Sequence, residues 1–149
     1  MKGQRGFEDL DCYQLALRVF KEAYRVANSL PAEEKFNLAT QMRRAATSTL
    51  LSIAEGYGRF HYLDSLRFFY TARGSLNETL SAFVACDGAA YSKAELERQR
   101  ELCHAALRSL NGYIRYIREQ QKGHKEYGTE VVREENSIYD VDIPRLGDD

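Results

Sequence analysis

The stretch from Gln41 to Arg59, QMRRAATSTLLSIAEGYGR, constrains the fold more than any other part of the chain. Ala39, Met42, Ala46, Leu50 and Ile53 recur there at the i, i+3, i+4, i+7 spacing of a core-facing helix. The same helix is crowded with small residues (Ala45, Thr47, Ser48, Thr49, Ser52, Ala54), so neighbouring backbones can approach it from more than one side. Gly56 and Gly58 are expected to supply the positive φ angles that end a helix and turn the chain. Arg43, Arg44 and Glu55 make this helix unusually charged, and buried charges must be paired. The expected solution is a polar network in which Glu55 and Glu78 pair with Arg43, Arg44 or Arg73 across the second and third helices.

Three more helices follow from the same periodicity. The first is expected from about Asp9 to Asn28, with Tyr13, Ala16, Phe20, Ala23 and Ala27 inward. Leu30-Pro31 breaks it, because proline disfavours helix in the residue before it. Pro31 then suits the first turn of the second helix, with Glu33 and Glu34 at the positive end of its dipole. After a short aromatic connection, Arg59-Phe-His-Tyr62, the third helix should span about Leu63 to Asp87. It carries two apolar rows: Leu66, Phe69, Leu76, Leu80 and Phe83, and then Phe68, Ala72, Thr79, Ala82 and Cys86. The second row exceeds what one bundle interior requires and reads as a contact between subunits. Gly74 within it costs about 1 kcal/mol relative to alanine, which the close approach of another helix would offset.

The fourth helix is expected from about Ser92 to Gln121, capped by Ser92 with Glu95 three residues later. Its inner face is Leu96, Cys103, Ala106 or Leu107, Leu110, Ile114 and Ile117. The fold class is therefore all-α, an up-and-down antiparallel four-helix bundle over residues 1–121. Residues 122–149 lack both helical period and apolar mass and are expected to form an extended or disordered acidic arm.

Charge divides the chain at that boundary. Residues 1–121 hold 17 Lys+Arg against 14 Asp+Glu, whereas residues 122–149 hold 4 against 8, so a mildly basic body precedes an acidic tail. No apolar run approaches the roughly 18 residues of a membrane span, and the N-terminus lacks the apolar core of a signal peptide. Cys12, Cys86 and Cys103 are scattered singly on apolar faces and read as buried thiols of a cytoplasmic protein. Glu101-Leu-Cys-His104 is one Glu-x-x-His spacing, but a di-iron bundle needs two, and no zinc spacing, phosphate-cradling loop or Ser/His/Asp set accompanies it. The expectation is a protein with no catalytic residues, metal or cofactor.

QMRRAATS, IAEGYGR and RGSLNE (Arg73 to Glu78), with FEDL (Phe7 to Leu10) and LPAEEKFNLATQ (Leu30 to Gln41), carry a resemblance. In this order they resemble the four-helix-bundle family encoded in intervening sequences of bacterial 23S ribosomal RNA genes. The accessory variability determinant of diversity-generating retroelements is a relative of that family. The resemblance covers roughly Phe7 to Gln121, and Ser52 departs from it where the family usually has Asn. It implies a closed ring of five and, through the retroelement relative, a reverse transcriptase as partner.

Two functions are open at this point. In the first, an oligomeric accessory protein binds RNA or DNA through a basic surface. Arg18, Lys21 and Arg25 on the first helix and Arg108, Arg115 and Arg118 on the fourth are expected at similar levels of antiparallel neighbours, forming one strip. In the second, the protein is an interaction scaffold of unassigned role with no direct nucleic-acid contact.

Overall fold

The computed structural model describes residues 6–92 and 96–120 of the chain. Four helices dominate: α1 (Asp11–Ser29), α2 (Leu38–Tyr57), α3 (Tyr62–Gly88) and α4 (Glu97–Gln120), with no strand among the described residues. Single 3₁₀ turns precede the first two helices, Gly6–Asp9 and Ala32–Glu34. Each helix packs on its sequence neighbours and α4 closes back on α1, giving a four-helix bundle. Hydrogen bonds record the direction of each pair. Asn28 meets Arg43 and Tyr24 meets Thr47, so numbers fall on α1 as they rise on α2. Ser65 meets Gly56 and Ser75 meets Ser48 between α2 and α3. Asp87 meets Leu96 and Arg73 meets Asn111 between α3 and α4. All three pairs are antiparallel, as short connections require. The expected arm over 122–149 lies outside the described residues.

The core is the one that periodicity picked out. Ala39, Met42, Ala46, Leu50 and Ile53 of α2 are buried, as are Leu96, Cys103, Ala106, Leu107, Leu110 and Ile114 at the other side of the bundle. On α1 the buried line is Cys12, Ala16, Val19, Ala23, Val26 and Ala27, with the expected Tyr13 and Phe20 half-buried beside it. All three cysteines are free and buried. Desolvation pushes the Cys12 and Cys86 thiols up to about 11 and Cys103 up to about 12, so they are inert packing groups near neutral pH. No described helix is long and apolar enough to cross a membrane.

Both apolar rows of α3 face inward, which corrects the reading of the second as a subunit contact. Ala72, Thr79, Ala82 and Cys86 are buried, as are Leu66, Phe69, Leu76 and Phe83, whereas Phe68 of the second row and Leu80 of the first are half-buried. The physical reason is that α3 lies against both α2 and α4. Each neighbour needs its own stripe, so two rows are spent inside one bundle.

The helix boundaries moved for local reasons. Pro31 opens only the 3₁₀ turn, and α2 begins at Leu38. Glu34 serves as the cap of α2: its carboxylate accepts from the Leu38 N–H at 3.1 Å and the Asn37 amide at 2.9 Å. The same carboxylate accepts from the Tyr91 hydroxyl at 2.7 Å, tying this corner to the end of α3. These bonds, the tyrosine's first, hold Glu34 below the usual carboxylate range. Gly56 lies inside α2 rather than at a turn, and Gly58 has an ordinary φ of −76°. A Cβ on Gly56 would stand 3.0 Å from Phe68 Cβ and 3.1 Å from the Ser65 carbonyl oxygen, so this glycine lets α3 close on α2. Gly74 shows the reverse: among the described residues nothing beyond its own helix backbone lies within 4 Å of its missing Cβ.

At the far end of α3 the chain turns through Ala90, which adopts φ 55°. The Tyr91 N–H reaches the Cys86 carbonyl and the Ala90 N–H that of Asp87, a Schellman end built without glycine. The expected cap of α4 is also corrected. The helix starts at Glu97, well after Ser92, and Glu95 lies outside the described residues. Asp87 of α3 does the capping: it accepts from the Leu96 N–H at 3.0 Å and pairs with Arg100 at 3.2 Å. Replacing Asp87 with alanine should therefore cost about 2 kcal/mol, the size of a charge-assisted cap in a half-buried site. Urea denaturation checks this, and a loss of a few tenths, as for an exposed pair, would contradict it.

Candidate nucleic-acid interface

Arg18, Lys21 and Arg25 line the outward side of α1, all exposed. Tyr24 turns towards α2 and Glu22 towards α4, which brackets the row between the two neighbours. Arg25 is not a free cation: it pairs with Glu22 at 2.6 Å. Glu22 also accepts from Gln99 of α4 at 3.0 Å. The Arg25 guanidinium first, and then the Gln99 amide, hold Glu22 below the usual carboxylate range.

That Glu22–Gln99 contact sets the register of α1 and α4. One turn along each antiparallel helix, Arg18 stands near the level of Cys103, and Arg108 lies more than a turn beyond. Arg108 and Arg115 are exposed and Arg118 is half-buried. Asn111 faces α3, where Arg73 donates to it at 3.3 Å, and Arg118 follows two turns later on the same side. Arg108 and Arg115 flank Asn111 at i−3 and i+4. The α4 arginines thus lean towards α3, away from the groove that Gln99 fills, and the six residues form two groups rather than one strip.

The α3 side adds a residue that periodicity alone did not single out. Phe69 packs edge-on to Tyr113 with centroids 5.1 Å apart, so Arg67 lies at about the level of Tyr116, between Arg115 and Arg118. Arg67 is exposed. Tyr70 and Arg73 follow it at i+3 and i+6, with the Arg73 guanidinium 4.9 Å from the Tyr70 ring centre. Arg67 on α3 and Arg108 and Arg115 on α4 are therefore exposed on neighbouring helices, with Arg118 half-buried and Arg73 buried where α3 meets α4. Glu78, Glu97, Glu101 and Glu119 are the exposed acids of α3 and α4.

A protein-family model described as the 23S rRNA-intervening sequence protein matches residues 8–112. The chain belongs to this family. No curated protein matches it.

The polar network expected within this intervening-sequence bundle takes a different form. Glu55 is exposed and pairs with Arg59 at 2.8 Å, one turn further along the same segment. Glu78 is exposed on α3. Arg43 binds Asn28 at 2.6 Å and lies 5.9 Å from the Tyr24 ring centre, Arg44 is exposed, and Arg73 is 7% exposed. The glutamates stand on faces turned to solvent, so no carboxylate from either reaches into the α2–α3 seam. Hydroxyls fill that role instead, through Ser48–Ser75 at 2.8 Å and Ser65 donating to the Gly56 carbonyl at 2.7 Å. Ser52 is buried one turn from Ser48 on the same side of α2.

The family member also gathers aromatic side chains at one end. Tyr57, Phe60 and Tyr116 are 45%, 69% and 51% exposed, where α2 stops, α3 starts and α4 ends. Beside them Tyr113 is half-buried, and desolvation pushes its hydroxyl up to about 12. Tyr113 and Tyr116 share the last turns of α4 with Arg115 and Arg118. Tyr57 and Phe60 line one cavity with them. Among the described residues no group of three or more His, Cys, Asp or Glu is placed to hold a metal, and Glu101 is exposed as its helical position required.

Proposed function

We propose that this protein is a non-enzymatic accessory protein that binds RNA or DNA through the arginine-bearing outer faces of α3 and α4. What supports the reading is that Arg67 on α3 and Arg115 on α4 are exposed at about the same level of neighbouring helices, with Arg108 two turns before Arg115 and Arg118 one turn after it. Guanidinium groups neutralise phosphates and release counterions, which gives affinity without sequence readout. Arg18, Lys21 and Arg25 form a second, weaker cationic row, reduced by the Glu22 pair. Membership of a family encoded within ribosomal RNA genes supports a nucleic-acid role. A homo-oligomer, a pentamer by the resemblance, would repeat each basic face around the assembly and multiply the phosphates engaged. Handing that nucleic acid to a reverse transcriptase is the extension of this reading that the retroelement relative suggests.

The test is charge reversal in two separate variants. One changes Arg67, Arg108 and Arg115 to glutamate, and the other changes Arg18, Lys21 and Arg25. Labelled RNA and DNA are titrated at low and moderate salt. The α3–α4 variant should lose at least about 100-fold in affinity at low salt and flatten the salt dependence, and the α1 variant should lose less. If both bind as tightly as the parent, the arginines are solvated faces. The scaffold reading then takes over, for which the exposed Phe36, Leu51 and Val84 are the available contacts. Light scattering on the purified protein tests the assembly, and a monomer at micromolar concentration would overturn it.

A further inference from the structure

The aromatic end of the bundle encloses a pocket of about 350 Å³ whose walls include Tyr57, Arg59, Phe60, Tyr113, Tyr116 and Gln120. That volume is in the range of small-ligand sites. Tyr113 and Tyr116 already stack on each other, with centroids 5.9 Å apart and planes 24° from parallel. Tyr113 is anchored from below by the edge-on ring of Phe69. On the opposite wall Arg59 is held in place by Glu55 at 2.8 Å and lies 4.8 Å from the Phe68 ring centre. The pocket is thus lined by aromatic rings together with side chains that can hydrogen-bond, Arg59, Gln120 and the tyrosines. Exposing three large aromatic side chains to water at one spot opposes folding, and the bundle does not cover them from within.

From this geometry we infer that the end pocket receives an unpaired nucleobase and gives the protein a preference for single-stranded over duplex nucleic acid. The inference rests on the nucleic-acid reading above and names the part of the ligand that the arginines do not touch. A base matches the pocket on three counts. It is flat, so it can lie on the exposed face of Phe60 or Tyr116. Its edge carries donors and acceptors for hydroxyl and amide groups. It is tethered to phosphates, and Arg115 and Arg118 stand within one turn of Tyr116 along α4, with Arg67 at about the same level of α3. Stacking on an aromatic side chain is open to every base, so the pocket selects strandedness rather than sequence. Bases inside a duplex are already stacked and paired, and entering the pocket would require opening the helix.

The experiment uses the full chain and two labelled probes, an unstructured ten-nucleotide single strand and a duplex of the same length, titrated at moderate salt. The double variant Phe60→Ala, Tyr116→Ala should weaken single-strand binding at least about tenfold, as loss of one base stack implies, while duplex binding and the slope with salt stay unchanged. Tyr116→Phe should bind the single strand like the parent. Both positions are exposed, and a melting curve confirms that the double variant folds. Single-strand affinity within twofold of the parent, or an equal loss on both probes, overturns the inference. If the Arg67, Arg108 and Arg115 reversals abolish binding while the aromatic variant is silent, the nucleic-acid reading stands and the pocket falls alone. If the parent binds neither probe at low salt, both fall.

Discussion

Replacing Phe69 with alanine is expected to destabilise the bundle by about 3–5 kcal/mol, the largest effect of any single substitution here. Phe69 is fully buried at the level where α2, α3 and α4 meet. Its ring stands edge-on to Tyr113 at 5.1 Å, and such a pair adds about 0.5–1.5 kcal/mol beyond the buried area. Its Cε2 atom would lie 3.2 Å from a Cβ on Gly56, so the ring also fills the space that glycine leaves open. A cavity there cannot close easily. On the α2 side the ring lies against Gly56, which has no side chain to swing in, and on the α4 side Tyr113 is tied into the stack with Tyr116. Urea denaturation with an unchanged m-value would measure the loss directly. A value below about 1 kcal/mol would mean that the ring is not part of the packed core.

The second large effect is a contrast between two glycines. Gly56→Val is expected to cost about 3 kcal/mol, because the new side chain meets backbone. The Ser65 carbonyl oxygen and Phe68 Cβ stand 3.1 and 3.0 Å from the position of its Cβ, and neither can rotate away. The Ser65 hydroxyl bond to the Gly56 carbonyl, at 2.7 Å, would be stretched by the same displacement. Gly74→Ala should do the opposite and stabilise by about 1 kcal/mol, since alanine is the better helix former and the space beyond Gly74 is open. Thermal melts of the two variants, taken on the same preparation, should move in opposite directions. If Gly74→Ala instead weakened an oligomer seen by light scattering, the open space would belong to a neighbouring subunit.

Much of the architecture was legible in advance because helical periodicity is local. The core lines of α2 and α4 need only the spacing of apolar residues within about 20 positions, and every expected member is buried except Ile117, which is half-buried. The exposure of Arg18, Lys21 and Arg25 follows from the same spacing, since they stand opposite Ala16, Ala23 and Ala27. What periodicity could not reveal was how many neighbours a face would meet. One apolar row suits a helix with one partner and two suit a helix with two, and nothing in α3 itself says whether the second partner belongs to the same chain.

Caps and ion pairs failed for a related reason. Glu55 had several arginines to choose from, and the choice went to Arg59 at i+4, because that pair needs no second helix to hold it. Ser92 offered a local cap for α4, but Asp87, nine residues before Leu96, reached the helix end once α3 and α4 were side by side. The sequence by itself determined four amphipathic helices, their order and their inward faces, because each is a property of a single turn repeated. Only the tertiary structure decided that Gly56 is a point of contact and Gly74 open surface. It alone put Arg67 level with Arg115, and brought Tyr57 and Phe60 beside Tyr113 and Tyr116 across more than fifty residues of sequence. Those facts depend on distances between helices, which are set by packing after the helices have formed.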